Sequence, residues 1–292
     1  MKRGFFSDKV FYVLVYTIAI FSFVLTLYPF IYILSVSFSD VLAIQQGKVF
    51  LWPVGFDLSG YKEVLTNEKI WTAYGNTIFY VGVGTVCNII MTVLAAYPLS
   101  RKSFSARRAL NFFIAFTMYF SGGLIPTYLL ITSLGLYNSR FVMILPVLVS
   151  TYNVMICRSA FSAIPEEIFE SVQMDGANDF VILWKIAIRL ITPTLAVLTL
   201  YYAVRHWNSF FTAMLYLSKE SLQPLQVLLR RVLIQASQEL TVGADIESEE
   251  QAIVSVQIRY VTIIVSTLPI LLIYPTLQKY FVKGIMLGAV KG

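Results

Sequence analysis

The stretch Ile164-Pro165-Glu166-Glu167-Ile168-Phe169-Glu170-Ser171-Val172-Gln173-Met174-Asp175-Gly176-Ala177 is a polar island in an otherwise apolar sequence. Pro165 suits the first turn of a helix, and Glu166 and Glu167 complement the positive end of its dipole. Ile164, Ile168 and Val172 recur at i, i+4 and i+8, which gives a short helix one greasy face and one acidic face. Gly176 can end that helix in the left-handed conformation at little cost, and Asn178 or Asp179 can cap a second helix starting near Phe180. A short helix, a glycine corner and a second helix, flanked by apolar spans, form a shape that docks onto something soluble.

The sequence around this island is that of a membrane protein. Its 292 residues are 58% hydrophobic and 13% charged, with a mean hydropathy of +0.73. A soluble domain carries about 25% charged residues. Six apolar stretches reach the roughly 20 residues that a helix needs to cross a bilayer. They fall at Val10–Val36, Trp71–Pro98, Leu110–Thr132, Phe141–Phe161, Leu190–Leu217 and Tyr260–Phe281. The predicted fold class is therefore all-α with six transmembrane helices. The first stretch is too long for the core of a signal peptide and reads as a membrane anchor.

Charge sets the orientation. Thirteen of the 22 basic residues, from Lys2 and Arg3 through Arg101, Lys102, Arg107 and Arg108 to Lys185, Arg189 and Lys291, share one side, most of them near helix ends. The loops of the other side are longer and dilute their basic residues with acidic ones. The excess of lysine and arginine marks the cytoplasmic face. Both termini and the Glu170–Ala177 loop are expected there. The net charge of +6 is dispersed between apolar spans and forms no nucleic-acid stripe.

Glu170-x-x-x-x-Asp175-Gly176-Ala177, followed by Phe180, Trp184, Ile186 and Pro193, resembles the "EAA" cytoplasmic loop of bacterial ABC importer permeases. Ile164-Pro165-x-Glu167-Ile168 fits the same motif in the carbohydrate-uptake branch, the relatives of the maltose-type inner permease. Ser171 and Val172 replace the usual alanines, and Arg189 replaces a usual proline. The resemblance implies a type I importer permease fold, a single transmembrane domain over residues 1–292 with core helices at about 71–281 and a coupling loop at about 163–189. It assigns Glu166, Glu167, Glu170, Asp175, Gly176 and Ala177 to coupling with an ATPase. The tail Lys283–Gly292 resembles the family ending in Val-Lys-Gly, which implies that Gly288, Val290, Lys291 and Gly292 touch the ATPase subunits.

The same resemblance implies the partners: a similar but different permease chain, two ATP-binding cassette subunits carrying ATP and Mg, and an extracytoplasmic solute-binding protein that delivers sugar. Phe56-x-Leu58-x-x-Tyr61 and Asn76-Thr77 resemble segments around the second helix of carbohydrate permeases. Pro224-Leu225-Gln226 resembles a subgroup handling larger or unusual oligosaccharides. The setting is a bacterial cytoplasmic membrane.

Within the fifth span, Arg205-His206-Trp207-Asn208 is the most polar group of any membrane stretch. A charge in lipid is costly, so these residues are expected to face the bundle interior or a wet cavity. Aromatic faces and amides hold sugars, and with Tyr202 the group is a candidate substrate path. The alternative is that Trp207 anchors at the lipid interface while Arg205 snorkels outward. In the third span, Ser121-Gly122-Gly123-x-x-Pro126 either bends the helix around a path or allows close packing. The extracytoplasmic stretch from Leu222 to Leu233 is amphipathic and suits the membrane surface, and acidic residues from Glu239 to Glu250 follow it.

No G-x-x-x-x-G-K-[ST] phosphate loop, H-E-x-x-H helix or G-x-S-x-G elbow occurs in the sequence. The chain is thus expected to bind no cofactor or metal, to catalyse nothing and to take its energy from another polypeptide. Cys87 and Cys157 lie in apolar runs and read as buried free thiols. An autonomous secondary transporter is the other class considered, but it needs ionisable residues clustered at mid-membrane. Only Arg205-His206 meets that, with no carboxylate.

Overall fold

The computed structural model describes residues 4–239 and 256–272. Among the described residues helices dominate and no strand forms, apart from an isolated bridge between Ser39 and Phe56. The chain divides into two compact units, one containing the N-terminal residues to Ile70 together with Leu229–Pro269, the other Trp71–Leu228 with the residues from Ile270 onward.

In the first unit, α1 (Gly4–Ser37) contains a 29-residue apolar segment, Lys9–Ser37, whose most hydrophobic window buries nothing within the chain. That face is left for lipid or protein. The chain then folds back through α2 (Val41–Gln45) and α3 (Ser59–Thr66). Ser35 Oγ donates to the Leu51 carbonyl at 2.7 Å, and Phe38 stacks between Phe56 and Tyr61. Buried Gln257, from α14 (Val256–Leu272), donates to the Ser39 carbonyl at 3.1 Å and accepts from Ser59 Oγ at 3.3 Å. Gly60 lets Gln257 approach closely, because a Cβ there would lie 2.9 Å from Gln257 Oε1 and displace that side chain. The segment between α1 and α4 is thus an ordered structure tied to α14.

The second unit is built on α4 (Glu68–Ser100), from Trp71 onward. It continues with α5 (Arg107–Phe116), α6 (Leu124–Ser133), two 3-10 turns at Arg140–Met143 and Leu145–Val147, and α7 (Thr151–Ser162). Two short helices follow, α8 (Glu166–Met174) and α9 (Asp179–Ile182), the latter running through a π turn, Leu183–Ala187, into α10 (Ile188–Leu190). Then come α11 (Thr192–Trp207), α12 (Phe211–Tyr216) and the first residues of α13 (Leu225–Glu239).

The expected regular spans are broken more often than the hydropathy suggests. Among the described residues, only Lys9–Ser37 and Glu68–Ser100 are single helices long and apolar enough to cross a membrane. Arg140–Val147 with Thr151–Ser162, bent by 52°, and Asp179–Leu190 with Thr192–Trp207, bent by 83°, reach that length as pairs. Pro193, at the start of α11, explains the second break, since it removes a backbone donor and crowds the preceding turn. The expected third span is two ten-residue helices separated by residues 117–123, where Gly123 takes φ +81° and Pro126 enters the first turn of α6. The expected fifth span starts only at Thr192 and is interrupted after Trp207. Cys157 is buried, whereas Cys87 is half-buried.

Two apolar clusters grip α4. At one end Val93, Ala96, Tyr97 and Leu99 pack with Phe161 of α7, Phe169 of α8 and Ile182 at the end of α9. At the other end Tyr80 packs with Ile131, Val142, Met143, Tyr216 and Leu217.

Candidate functional site

The α8–α9 corner is seated by one aromatic side chain. Phe169 is 2% exposed in the cluster with Tyr97 and Phe161, and Ile164, Val172 and Ala177 pack around it. The i, i+4, i+8 pattern named Ile164, Ile168 and Val172 as the greasy face; the deepest residue is Phe169, one position along from the half-buried Ile168. Arg101, just beyond α4, lies with its guanidinium carbon 3.7 Å from the centre of the Phe169 ring. Its Nη2 is 3.1 Å from Glu166 Oε1, and Lys102 Nζ is 4.0 Å from Glu166 Oε2.

Gly176 makes the corner. Its φ is +82°, with open space around the position where a Cβ would sit, so backbone conformation and not room selects glycine. The N–H groups of Gly176 and Ala177 donate back to the Gln173 and Val172 carbonyls, closing α8. Asn178 caps α9, its Oδ1 accepting from the Val181 N–H at 2.9 Å. Glu167, Glu170 and Asp175 remain exposed beside Met174, Phe180 and Trp184, of which Met174 is 89% exposed. The corner thus presents carboxylates and large apolar side chains together on an exposed surface. Among the described residues, Glu166 is the one of the six residues expected to couple whose carboxylate is engaged by basic side chains.

On α11 the expected path residues divide. Tyr202, His206 and Trp207 turn into the fold, while Arg205 and Asn208 are exposed. Tyr202 is fully buried and its hydroxyl pairs with Thr92 Oγ1 at 2.7 Å. His206 Nε2 lies 2.7 Å from Asn88 Oδ1. Trp207 packs on Ala73, Leu225 and Tyr74. The polarity of the group was legible in the sequence; which side each residue takes was not.

Several positioning residues had only faint signals. Asn76 Nδ2 donates to the Ser221 and Gln223 carbonyls, Tyr80 to Leu222, and the Leu225 N–H donates to Thr77 Oγ1. Asn138, at φ +56°, accepts from the N–H groups of Ser218 and Lys219. These amides staple the loops at one end of α4 into a platform. Lone amides in apolar surroundings, such as Asn76 and Asn88, were the available clue. Among the described residues no His, Cys, Asp or Glu group could hold a metal ion. The tail residues Gly288, Val290, Lys291 and Gly292 and the acidic residues Asp245–Glu250 lie outside the described residues.

Apolar helices behind an exposed pair of short helices, in a chain without a nucleotide-binding loop, define a membrane subunit driven by a partner. Residues 84–287 match the family described as "Binding-protein-dependent transport system inner membrane component". Over 98% of its length the chain is 36% identical to the polygalacturonan/rhamnogalacturonan transport system permease protein YtcP of Bacillus subtilis (strain 168), all of which is covered. It is 38% identical to the protein LplC of the same organism, over 92% of this chain and 90% of that one. A crystal structure of a bacterial ABC transporter involved in the import of the acidic polysaccharide alginate contains a chain that superposes with a TM-score of 0.87 at 37% identity, covering 94% of this chain and 98% of that one. The chain belongs to the family of binding-protein-dependent transport system inner membrane components. It is a permease subunit of an ABC importer, and ATP hydrolysis falls to separate subunits.

Proposed function

We propose that this permease carries an acidic, uronate-containing oligosaccharide across the cytoplasmic membrane, with both termini on the cytoplasmic side. The observation that supports this best is the near-full-length likeness to a polygalacturonan/rhamnogalacturonan permease protein and to a chain of an importer of the acidic polysaccharide alginate. The chain acts as one transmembrane domain over residues 1–292, with core helices at about 71–281. It pairs with a second, similar permease chain and with two ATPase subunits that hold Mg-ATP.

In this reading the loop at about 163–189 is the coupling element. Glu167, Glu170 and Asp175 meet the ATPase directly. Gly176 and Ala177 set the corner, and Glu166 works from behind by holding Arg101. Residues Gly288, Val290, Lys291 and Gly292 make a second contact with the ATPase. On α11, Arg205 and Asn208 face the sugar path, Arg205 offering a charge to carboxylates and Asn208 an amide to hydroxyls. Tyr202, His206 and Trp207 support them from within. ATP-driven closure of the ATPase pair pushes the docked corner, and the bundle alternates between outward-open and inward-open states.

The test is the assembled importer in liposomes, presented with its binding protein and a panel of oligosaccharides. Stimulated ATP turnover and uptake should be greatest with uronate-containing chains. Equal or greater response to neutral oligosaccharides would overturn the substrate assignment.

A further inference from the structure

Asn88, which has no part in the assignments above, lies near the middle of α4, fully buried, at the centre of a polar network. Its Nδ2 donates to the carbonyls of Val147 at 2.8 Å and Leu148 at 2.7 Å. These carbonyls sit where the helical path breaks before α7. With both amide hydrogens used, Oδ1 can only accept, so His206 donates from Nε2 across 2.7 Å. The imidazole is thereby held as the Nε2–H tautomer.

The network has a regular spacing. One turn before Asn88 stands Gly84, where a Cβ would lie 2.5 Å from His206 Nε2. One turn after it stands Thr92, whose hydroxyl pairs with Tyr202 at 2.7 Å, and the Ser150 N–H donates to the same Tyr202 hydroxyl at 3.3 Å. Gly84, Asn88 and Thr92 thus form one stripe of α4, matched to Tyr202 and His206 one turn apart on α11. The broken backbone at 147–150 is held by both. In a bilayer no water satisfies the groups freed by such a break, so protein side chains must.

We infer that Asn88 is a positioning residue of the transport cycle, locking α4, the break at 147–150 and α11 into one body, so that a push at α8 reaches the face carrying Arg205 and Asn208. Two observations place this lock on the line of force. The cluster below it contains Phe169 of α8, and α11 carries the exposed pair directly beside His206. The inference rests on the reading of α8 as the docking element.

The experiment compares basal and binding-protein-stimulated ATP turnover of the assembled importer carrying His206→Leu, His206→Gln or Gly84→Ala. His206→Leu should still assemble into the importer and reduce stimulation about tenfold, within the usual range of coupling between sites. His206→Gln, whose amide nitrogen can reach Asn88 Oδ1, should restore most of it. Gly84→Ala displaces the imidazole without removing a polar group and should also lower stimulation. Full stimulation in His206→Leu and Gly84→Ala, equal loss in His206→Leu and His206→Gln, or loss of assembly in every variant would each overturn the inference. Failure of the docking reading shows itself separately, as a Gly176→Val importer that keeps its stimulated turnover.

Discussion

Arg101 holds Glu166 at 3.1 Å while lying over the Phe169 ring, so one guanidinium fixes both the acidic start and the aromatic anchor of α8. The Arg101 side chain is 10% exposed and that of Glu166 33%, between a surface pair and a buried one. Glu166→Gln should therefore cost about 1–3 kcal/mol. Glu170→Gln, on the exposed side, should leave stability unchanged and lower stimulated turnover. Thermal unfolding of the two purified variants separates the roles: a drop in Tm for Glu170→Gln but not Glu166→Gln would reverse them.

Phe169→Ala removes the side chain that seats the corner. A buried phenylalanine truncated in this way costs about 3–5 kcal/mol. The chain should still enter the membrane, because no apolar span is altered, but the ATPase subunits should no longer co-purify with it. Unchanged co-purification would mean that α8 stays seated without its anchor.

The divided α11 yields a contrast between neighbours. Arg205→Gln should slow uptake of an acidic oligosaccharide far more than that of a neutral one, with no fall in Tm, since Arg205 is exposed. Asn208→Leu should slow both. Trp207, packed on Ala73 and Leu225, should behave differently: Trp207→Ala should cost about 3–5 kcal/mol of stability. Equal transport of acidic and neutral sugar by Arg205→Gln would remove this charge from the path.

Asp57, in the loop before α3, is held below its ordinary value of 3.8 by hydrogen bonds from the Ser59 hydroxyl and N–H. A carboxyl depressed on folding adds stability that is complete above its unfolded value and fades as pH falls through its folded one. Asp57→Asn should thus lower Tm at pH 7, and the difference from wild type should shrink toward pH 3. A difference independent of pH would show that the loop draws nothing from the charge.

Class and docking corner could be read from the sequence because both rest on local chemistry. The apolar excess specifies helices in a bilayer, and Gly176 and Asn178 are local cap and corner residues that the structure places as their chemistry requires. What depends on distant partners was not legible. Phe169 is the anchor because Tyr97 and Phe161 form its pocket, and Glu166 turns inward because Arg101 lies beside it, 65 positions earlier. Hydropathy did not show the break at 147–150, since broken backbone in a membrane depends on side chains elsewhere, here Asn88 and Tyr202, to satisfy it, whereas Gly122, Gly123 and Pro126 mark the interruption of the third span. Of the six expected spans, the described residues show two as single helices and two as bent pairs.

The central claim, that the α8–α9 corner transmits ATPase motion, is tested most directly at Gly176. At φ +82° with open space around it, the position tolerates an asparagine, which visits this conformation, but penalises a β-branched residue by about 1–2 kcal/mol or more. The measurement is binding-protein-stimulated ATP turnover of the assembled importer with Gly176→Asn and Gly176→Val. The account predicts near wild-type stimulation for asparagine and its loss for valine, with both proteins present in the membrane at normal levels. Full stimulation in a well-expressed Gly176→Val importer would contradict it.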